Sequence, residues 1–478
     1  MKYCKTSLFY DKIGNDWRRY NMLDNSKKFN DLRKQYNTFI YDSFLVENTE
    51  EEIIIKFKFI IENLTSFEPE LRILKNNLDI KIEDKLIENC KNAAFHMGLI
   101  ELISYWKATC SPNVIIKAGY INEEQINWFK KLYFYGLGEL FYTNGIKTNI
   151  DDFMSVKCES NEVYDDTINT SNDGYLIPIG GGKDSCVTLE CLKKQADNYC
   201  LIVNPKPVTL DCAKAAGYED NRIVKVIRRI DTNLLELNSK GFINGHTPFS
   251  SMLAFLSYFI ADIIGKKYIA LSNESSANES NVDGEKINHQ YSKSVEFEND
   301  FRYYSTKYLK RNTEYFSFLR PLNELQIAMA FSKFEKYHPI FKSCNVGSKG
   351  ETWKWCCNCP KCLFVYTILS PFLYKDKLIN IFGEDLFDRE DLLETFIELT
   401  GNGETKPFEC VGTYEEVCFA ISKTISNLEG KELPYLLKYF KDNYELSNLE
   451  IDLTKNYYPE NNLTEEQTKI LKEEIFND

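Results

Sequence analysis

The sequence is poor in positive charge. Its 478 residues contain 58 Lys and Arg against 71 Asp and Glu, which gives a formal net charge of -13 at pH 7. Proteins that bind nucleic acid usually present a basic stripe, because neutralising the phosphates supplies much of their affinity. We therefore expect no nucleic-acid partner, although a local basic groove would be compatible with this composition.

Long apolar runs are also missing. The longest, at 252–265, contains Asp262 and is too short to span a bilayer. The first residues, MKYCKTSLFYDKIG, contain no apolar core of signal-peptide length. The 15 cysteines are an odd number spread over a long chain, unlike the framework of a small secreted domain. These absences predict a cytoplasmic protein with reduced cysteines and no membrane contact.

Apolar residues are plentiful, at 43% of the chain with 14% aromatic, so a sizeable core is expected. The residue patterns divide the chain into three passages. We predict an N-terminal α+β domain at 1–165, a second domain at 170–343 and a helical region at 344–478, with a polar linker at 151–174.

The middle passage alternates strand-like runs with helical segments. The runs lie at 175–179, 199–204, 222–227 and 267–272. This alternation predicts an α/β fold with a central, doubly wound parallel sheet. Such sheets bind ligands beyond the carboxyl ends of their strands. At those ends the sequence places glycines, Asn204, two arginines and a polar segment that begins at Ser272.

A glycine-rich turn follows the first of these strands and opens a helix. Glycines let the backbone approach a phosphate closely, and the free N–H groups of the helix start favour anionic oxygens. Lys183 would add positive charge, Asp184 a carboxylate for Mg2+ and Ser185 a hydroxyl donor. The turn predicts a nucleotide phosphate site, against the alternative of a turn without a ligand. Its residues are Gly180, Gly181, Gly182, Lys183, Asp184 and Ser185.

The spacing of this turn differs from a Walker A loop and from the GxGxxG of dinucleotide binders. It resembles the S-G-G-x-D-S loop of the ATP pyrophosphatase (PP-loop) superfamily, with Gly180 in the place of the first serine. The resemblance implies that ATP is cleaved between its α and β phosphates and that a substrate oxygen is captured as an adenylate.

A cysteine cluster opens the C-terminal passage. Cys356, Cys359 and Cys362 are spaced as two overlapping CxxC steps, and Cys344 lies upstream. Four thiolates suit tetrahedral zinc and leave no position for water, so we predict a structural zinc site. The alternatives are a redox pair or buried thiols, and the spacing does not decide whether Cys357 replaces one of the ligands.

The sequence identifies substrate-binding residues less clearly than the phosphate and zinc sites. His289 is the best candidate base among the four histidines, since imidazole titrates nearest neutrality. Arginines can hold a phosphate or carboxylate through two parallel hydrogen bonds. A solvated loop and helix face would explain the same polar residues. The candidate substrate-binding residues are Arg228, Arg229, Asn273, Glu274, Ser275 and Lys293.

Several stretches together resemble one branch of the superfamily, the ATP-dependent UDP-N-acetylmuramoyl-L-alanyl-L-glutamate epimerases of peptidoglycan synthesis. The resemblance implies conversion of the terminal L-Glu to D-Glu through an acyl adenylate, with a UDP-sugar peptide as substrate and ATP, Mg2+ and zinc as cofactors. We assign Lys183, Asp184 and His289 as catalytic candidates on this basis. The stretches lie at 99–119, 135–146, 178–185, 271–279, 288–294, 320–328 and 355–362.

Three other functions fit parts of the pattern. An enzyme like 7-cyano-7-deazaguanine synthase shares a similar loop and cysteine knuckle, but the long N-terminal region argues against it. A tRNA-thiolating enzyme conflicts with the acidic balance. A nucleotide-binding regulator would bind ATP without forming AMP. The residue pattern identifies neither the pair of proton-transfer groups nor the oligomeric state.

Overall fold

In the computed structural model, the described residues are 24–476, apart from 81, 83, 166–172, 196, 283–286, 311, 345, 348–353 and 404. Their strands are β1 (Thr38–Asn48), β2 (Glu52–Ile61), β3 (Thr65–Phe67), β4 (Glu70–Leu74), β5 (Asn113–Ile116), β6 (Ser155–Cys158), β7 (Tyr175–Pro178), β8 (Tyr199–Val203), β9 (Ile223–Arg229), β10 (Tyr268–Leu271) and β11 (Glu314–Ser317).

The α-helices of the N-terminal and middle passages are α1 (Ser26–Gln35), α2 (Asp84–Glu88), α3 (Lys91–Glu101), α4 (Ile103–Trp106), α5 (Glu123–Gly136), α6 (Gly138–Thr143), α7 (Lys183–Leu192), α8 (Pro207–Ala215), α9 (Thr232–Ser239), α10 (Phe249–Ile263), α11 (Val295–Tyr304) and α12 (Glu324–Ser332). Those of the C-terminal passage are α13 (Pro360–Leu369), α14 (Lys375–Phe382), α15 (Leu393–Leu399), α16 (Tyr414–Asn427), α17 (Tyr435–Asn443) and α18 (Glu465–Phe476).

One mixed sheet joins the N-terminal and middle passages. Its strands run in the order β11-β10-β7-β8-β9-β4-β2-β1-β5-β6, with β3 paired to β2. Pairing is parallel from β11 to β9 and antiparallel where β4 meets β9 and β2. The predicted strands of the middle passage correspond to β7, β8, β9 and β10. The mixed α/β class with a large, mostly parallel sheet is confirmed.

The predicted linker needs one correction, because it contains a strand. Residues Ser155–Cys158 form β6, which pairs in parallel with β5 at the edge of the sheet. Exposed residues alternate with partly buried ones along β6, so its composition is that of a polar linker. Residues 166–172 of the predicted linker lie outside the described part of the chain.

Two hydrophobic cores lie on opposite faces of this sheet. Alternate residues of the parallel strands enter different cores: Leu176 of β7 packs on one side, and Ile177 packs on the other. The first core includes α3 and α10 together with the inward face of β1 and β2. The second includes α7, α12 and the C-terminal helices α13 to α18. Since side chains alternate across a strand, a strand covered on both faces is apolar throughout, as β7 and β8 are.

Within the part of the chain that the structure describes, no helix combines the length and apolar character that crossing a bilayer requires.

Candidate active site

A cavity of about 490 Å³ opens at the carboxyl ends of β7, β8 and β10. The chain passes from β7 to β8 on one side and places β10 on the other, so the connections diverge here. Ligands of doubly wound sheets bind in such a crevice. Its lining includes Gly180, Gly182, Asp184, Ser185, Asn204, Asn273, Glu274, Lys293, Glu324, Lys342, Lys361 and Cys410.

The glycine turn forms one wall of this cavity. Gly182 is the extended residue before α7, and the first N–H groups of that helix have no partner in its own backbone ladder. Gly181 has a φ of +79°, a left-handed conformation that favours glycine. A side chain there would also meet Val208 at 3.1 Å. The local sequence therefore builds the predicted glycine turn at the start of a helix, and its role in binding phosphate stays a prediction.

Charges are concentrated around the start of α7. The buried Lys183 ammonium contacts both Asp184 and Glu324. Burial opposes its charge, but these two carboxylates raise the pKa of Lys183, so it remains protonated. Burial raises the pKa of Glu324 to about 8 despite Lys183. For Asp184, Lys183 and other lysines outweigh burial and hold the pKa below its usual range. Asp184 is therefore an anion at neutral pH and faces the cavity.

Other predicted residues converge on the same cavity. Asn204 follows β8 in a left-handed conformation with φ of +50°, and its Oδ1 accepts a hydrogen bond from the Arg228 N–H at 2.8 Å. Asn273 donates to the Ser317 hydroxyl at 3.0 Å. Glu274 and Lys293 lie beside them in the lining. Four predicted residues from three segments of the chain thus share a cavity with the glycine turn.

The structure does not bring every candidate to the cavity. Arg228 pairs with the buried Glu101 at 2.7 Å, and the exposed Arg229 pairs with Glu70 at 3.0 Å. The Ser275 hydroxyl donates to the Leu322 carbonyl at 2.9 Å, a contact that holds the loop together. The roles of these three residues in substrate binding stay predictions. Each residue would have to leave its present partner before it could contact a substrate.

His289 lies behind the cavity wall, in an acid–base cluster. Its Nδ1 is 2.5 Å from Oε2 of Glu139, and its ring is 4.3 Å from that of His246. Burial opposes a charge on His289, but Cys410 and Glu139 raise its pKa to about 10. Burial and the nearby cations lower the pKa of His246 to about 3. The structure thus places a carboxylate on Nδ1 of His289, and the role of His289 as the base stays a prediction.

Glu139, His246 and His289 also bring three ligand atoms within 4.8 Å of one another. The direct ion pair between Glu139 and His289 already satisfies the carboxylate. Lys107 and Lys293 add positive charge around His246. In the structure the three residues form an acid–base cluster joined by the Glu139–His289 contact.

Several residues of the cavity wall were missed by sequence reasoning, and those with an ionisable side chain include Glu324, Lys342, Lys361 and Cys410. Glu324 is the first residue of α12. The backbone N–H of Lys342 donates to the Gly181 carbonyl at 2.9 Å. Lys361 sits inside the second CxxC step, and its ammonium contacts the Cys410 carbonyl. Of these four residues, only Glu324 and Lys361 fall in the stretches that carry the family resemblance.

The four cysteines predicted to hold zinc come together. Sulfur separations are 3.8 Å for Cys344–Cys359, 3.7 Å for Cys356–Cys362 and 3.5 Å for Cys359–Cys362. Four thiolates around a tetrahedral zinc at about 2.3 Å would lie about 3.8 Å apart. The cluster therefore fits a zinc ion. Cys357 points away from it and donates to the Phe382 carbonyl at 3.1 Å.

The fold and cavity define an α/β protein with a glycine turn at the switch point of its sheet and a cluster of four cysteines in its C-terminal passage. The chain matches the family models described as the MurL N-terminal domain, over residues 30–318, and the MurL C-terminal domain, over residues 340–450. It therefore belongs to the MurL family.

Curated relatives support this assignment. Proteins from Xanthomonas oryzae pv. oryzae, Salinispora tropica and Micromonospora sp. are each named UDP-N-acetyl-alpha-D-muramoyl-L-alanyl-L-glutamate epimerase. Identity to the Xanthomonas protein is 32%, over 72% of this chain and 77% of the relative. The Salinispora protein is 34% identical over 68% and 71%, and the Micromonospora protein 33% over 70% and 74%.

Proposed function

We propose that this chain inverts the terminal glutamyl residue of UDP-N-acetylmuramoyl-L-alanyl-L-glutamate from L to D in peptidoglycan precursor synthesis, with cleavage of ATP to AMP and pyrophosphate. Family membership over most of the chain supports the epimerase activity. The observation that carries the ATP requirement is the glycine turn, which lines the same cavity as three of the candidate substrate residues, Asn273, Glu274 and Lys293. This combination is expected of a PP-loop fold.

The cavity has the charges that a triphosphate and a carboxylate need. The amides at the start of α7 would hold phosphate oxygens, and Asp184 is the anion suited to Mg2+. The wall also contains the ammonium groups of Lys206, Lys293, Lys342 and Lys361, which lie among the carboxylates of Asp184, Glu274 and Glu324. A substrate carboxylate and a polyphosphate, which repel each other in water, could therefore approach within this wall.

The chemistry explains why ATP is needed for an inversion. The α-hydrogen beside a free carboxylate is barely acidic, since its removal would add a second negative charge to an anion. Attack of the carboxylate oxygen on the α-phosphorus releases pyrophosphate and leaves an uncharged acyl carbonyl. That carbonyl can accept the electron pair when the α-proton leaves. Reprotonation on the other face and hydrolysis of the adenylate then give the D-glutamyl product and AMP.

The test uses the purified chain with the muramoyl dipeptide, ATP and Mg2+. We expect AMP and pyrophosphate only when the dipeptide is present, and D-Glu in the product by chiral chromatography after acid hydrolysis. Inversion without ATP would contradict the proposed activation, and AMP formation without inversion would contradict the epimerase assignment. Asp184→Asn should abolish pyrophosphate release. The exposed Asp211→Asn on α8 is the matched control and should leave the rate unchanged.

A further inference from the structure

Cys410 lines the cavity but has no role in the reaction steps proposed above. It lies in the segment between α15 and α16, and its partly buried side chain shares the cavity with Asp184, Glu274 and Lys293. The Glu274 side chain is more than nine-tenths buried and lines the same cavity. Burial and the charge of Asp184 raise the pKa of Glu274, and Lys293 opposes this shift, so Cys410 and Glu274 have Lys293 as a common cationic neighbour.

Two cations hold the Cys410 thiol. The Lys293 ammonium donates to Sγ at 3.0 Å, and the His289 side chain also hydrogen-bonds to it. His289 is oriented in turn by Glu139, 2.5 Å from its Nδ1. The result is a carboxylate–imidazole–thiol chain, an arrangement that activates a thiol by supplying a fixed positive partner.

The charges around Cys410 favour the thiolate. Burial opposes ionisation, but Lys293, His289 and Lys361 together hold the pKa of Cys410 well below its usual range. These three groups come from the segment at 289–293 and from α13. The contacts with Cys410 and Glu139 raise the pKa of His289 to about 10, so His289 and Lys293 both place positive charge beside the sulfur.

We propose that Cys410 is the base that removes the α-proton of the activated glutamyl residue, with His289 and Lys293 as positioning residues that keep it ionised. In this step the Cα–H bond breaks and an S–H bond forms. The electron pair moves into the acyl carbonyl, and water or a second acid protonates the carbon from the opposite face. The inference rests on the proposed function and assigns one of its proton-transfer groups.

The first experiment separates the two steps of the reaction in Cys410→Ser and Cys410→Ala. Pyrophosphate–ATP exchange reports adenylation and should stay within about threefold of the unchanged protein, because it precedes proton removal. Inversion and deuterium uptake at the α-carbon in D2O should fall by about 100-fold or more. Cys418→Ser is the matched control: this thiol donates to the Thr400 carbonyl and lies outside the cavity lining, so both readouts should be unchanged.

The outcomes distinguish this inference from the proposed function. Inversion at the normal rate in Cys410→Ala, alongside normal exchange, would overturn the role of Cys410 alone. Absence of dipeptide-dependent exchange in the unchanged protein would overturn the proposed function instead. A substrate covalently attached to Cys410, seen by mass spectrometry of the intact protein, would make the sulfur a nucleophile and also overturn the proposed role as base.

A second measurement holds even if the Cys410 variants fold poorly. Iodoacetamide reacts with thiolates, so the rate at each cysteine follows its ionisation and can be read by peptide mass spectrometry. Cys410 should react at a lower pH than Cys418, whose pKa burial raises to about 11. His289→Asn should move the Cys410 profile to higher pH and leave that of Cys418 in place. Identical profiles for the two cysteines would contradict the proposal.

Discussion

At the scale of single residues, the three glycines of the turn have different steric surroundings. A side chain at Gly180 would meet nothing within 4 Å, whereas one at Gly181 would meet Val208 and is further opposed by a φ of +79°. Gly180 is the position where the superfamily pattern has serine. The space around it explains how either residue can stand there without change to the turn.

The different surroundings of Gly180 and Gly181 allow a test of how the turn conformation affects nucleotide binding. Gly181→Ala should cost about 1–2 kcal/mol in the left-handed conformation, which corresponds to about a tenfold loss in kcat/KM for ATP if the turn distorts. Gly180→Ser should remain within about threefold, and it serves as the control for a changed loop. Steady-state kinetics of AMP formation measure both. Equal losses in the two variants would show that the backbone conformation at Gly181 does not govern nucleotide binding.

At the scale of elements, the cysteine knuckle connects metal binding to the cavity. Lys361 lies between Cys359 and Cys362, at the start of α13, and its ammonium reaches both the cavity wall and the Cys410 carbonyl. A structural zinc ion would therefore also fix the direction in which Lys361 points. The knuckle supports the cavity by position, without contributing a reactive group.

We predict that loss of one cysteine ligand affects zinc content, stability and activity together. Cys359→Ser should lose its zinc, melt at a lower temperature and form AMP more slowly, because one of four ligands is replaced and Lys361 is released. Cys357→Ser is the matched control and should retain one zinc per chain, since its thiol points away towards Phe382. Elemental analysis and thermal melts measure both effects. Zinc loss from Cys357→Ser with retention in Cys359→Ser would reverse the ligand assignment.

At the scale of the whole molecule, the N-terminal passage completes the sheet of the middle one. Strand β4 pairs with β9 from Leu74 opposite Lys225 to Glu70 opposite Arg229. The helices α3 and α10, from the two passages, pack in the same core. A boundary at 165–170 therefore separates the residue patterns but crosses a continuous sheet and a shared core.

This continuity predicts how fragments behave. Residues 170–478 expressed alone should aggregate, because β9 would present an unpaired edge and the first core would lose its N-terminal half. Co-expression with residues 1–165 is the control and should restore soluble material by re-forming the β4–β9 pairing. Solubility and size-exclusion chromatography are the readouts. A soluble fragment 170–478 that melts cooperatively would instead support an autonomous domain.

Much of the site could be predicted because its signals are local. The strand, glycine turn and helix around Gly181 occupy a few consecutive residues, and the CxxC steps put Cys359 and Cys362 on adjacent turns. The edge strand β6 was missed because its polar alternation resembles a linker. Cys410 was missed because the residues beside it in the chain carry no catalytic pattern.

The sequence by itself determined the glycine turn and the clustering of the four cysteines, since neighbouring residues create both through backbone geometry and short spacings. Only the tertiary structure decided what surrounds His289. Its partner Glu139 is 150 residues away in the chain, and Cys410 comes from the segment before α16. The ionisation of each group depends on the charges that the fold packs against it, and no short pattern encodes those neighbours.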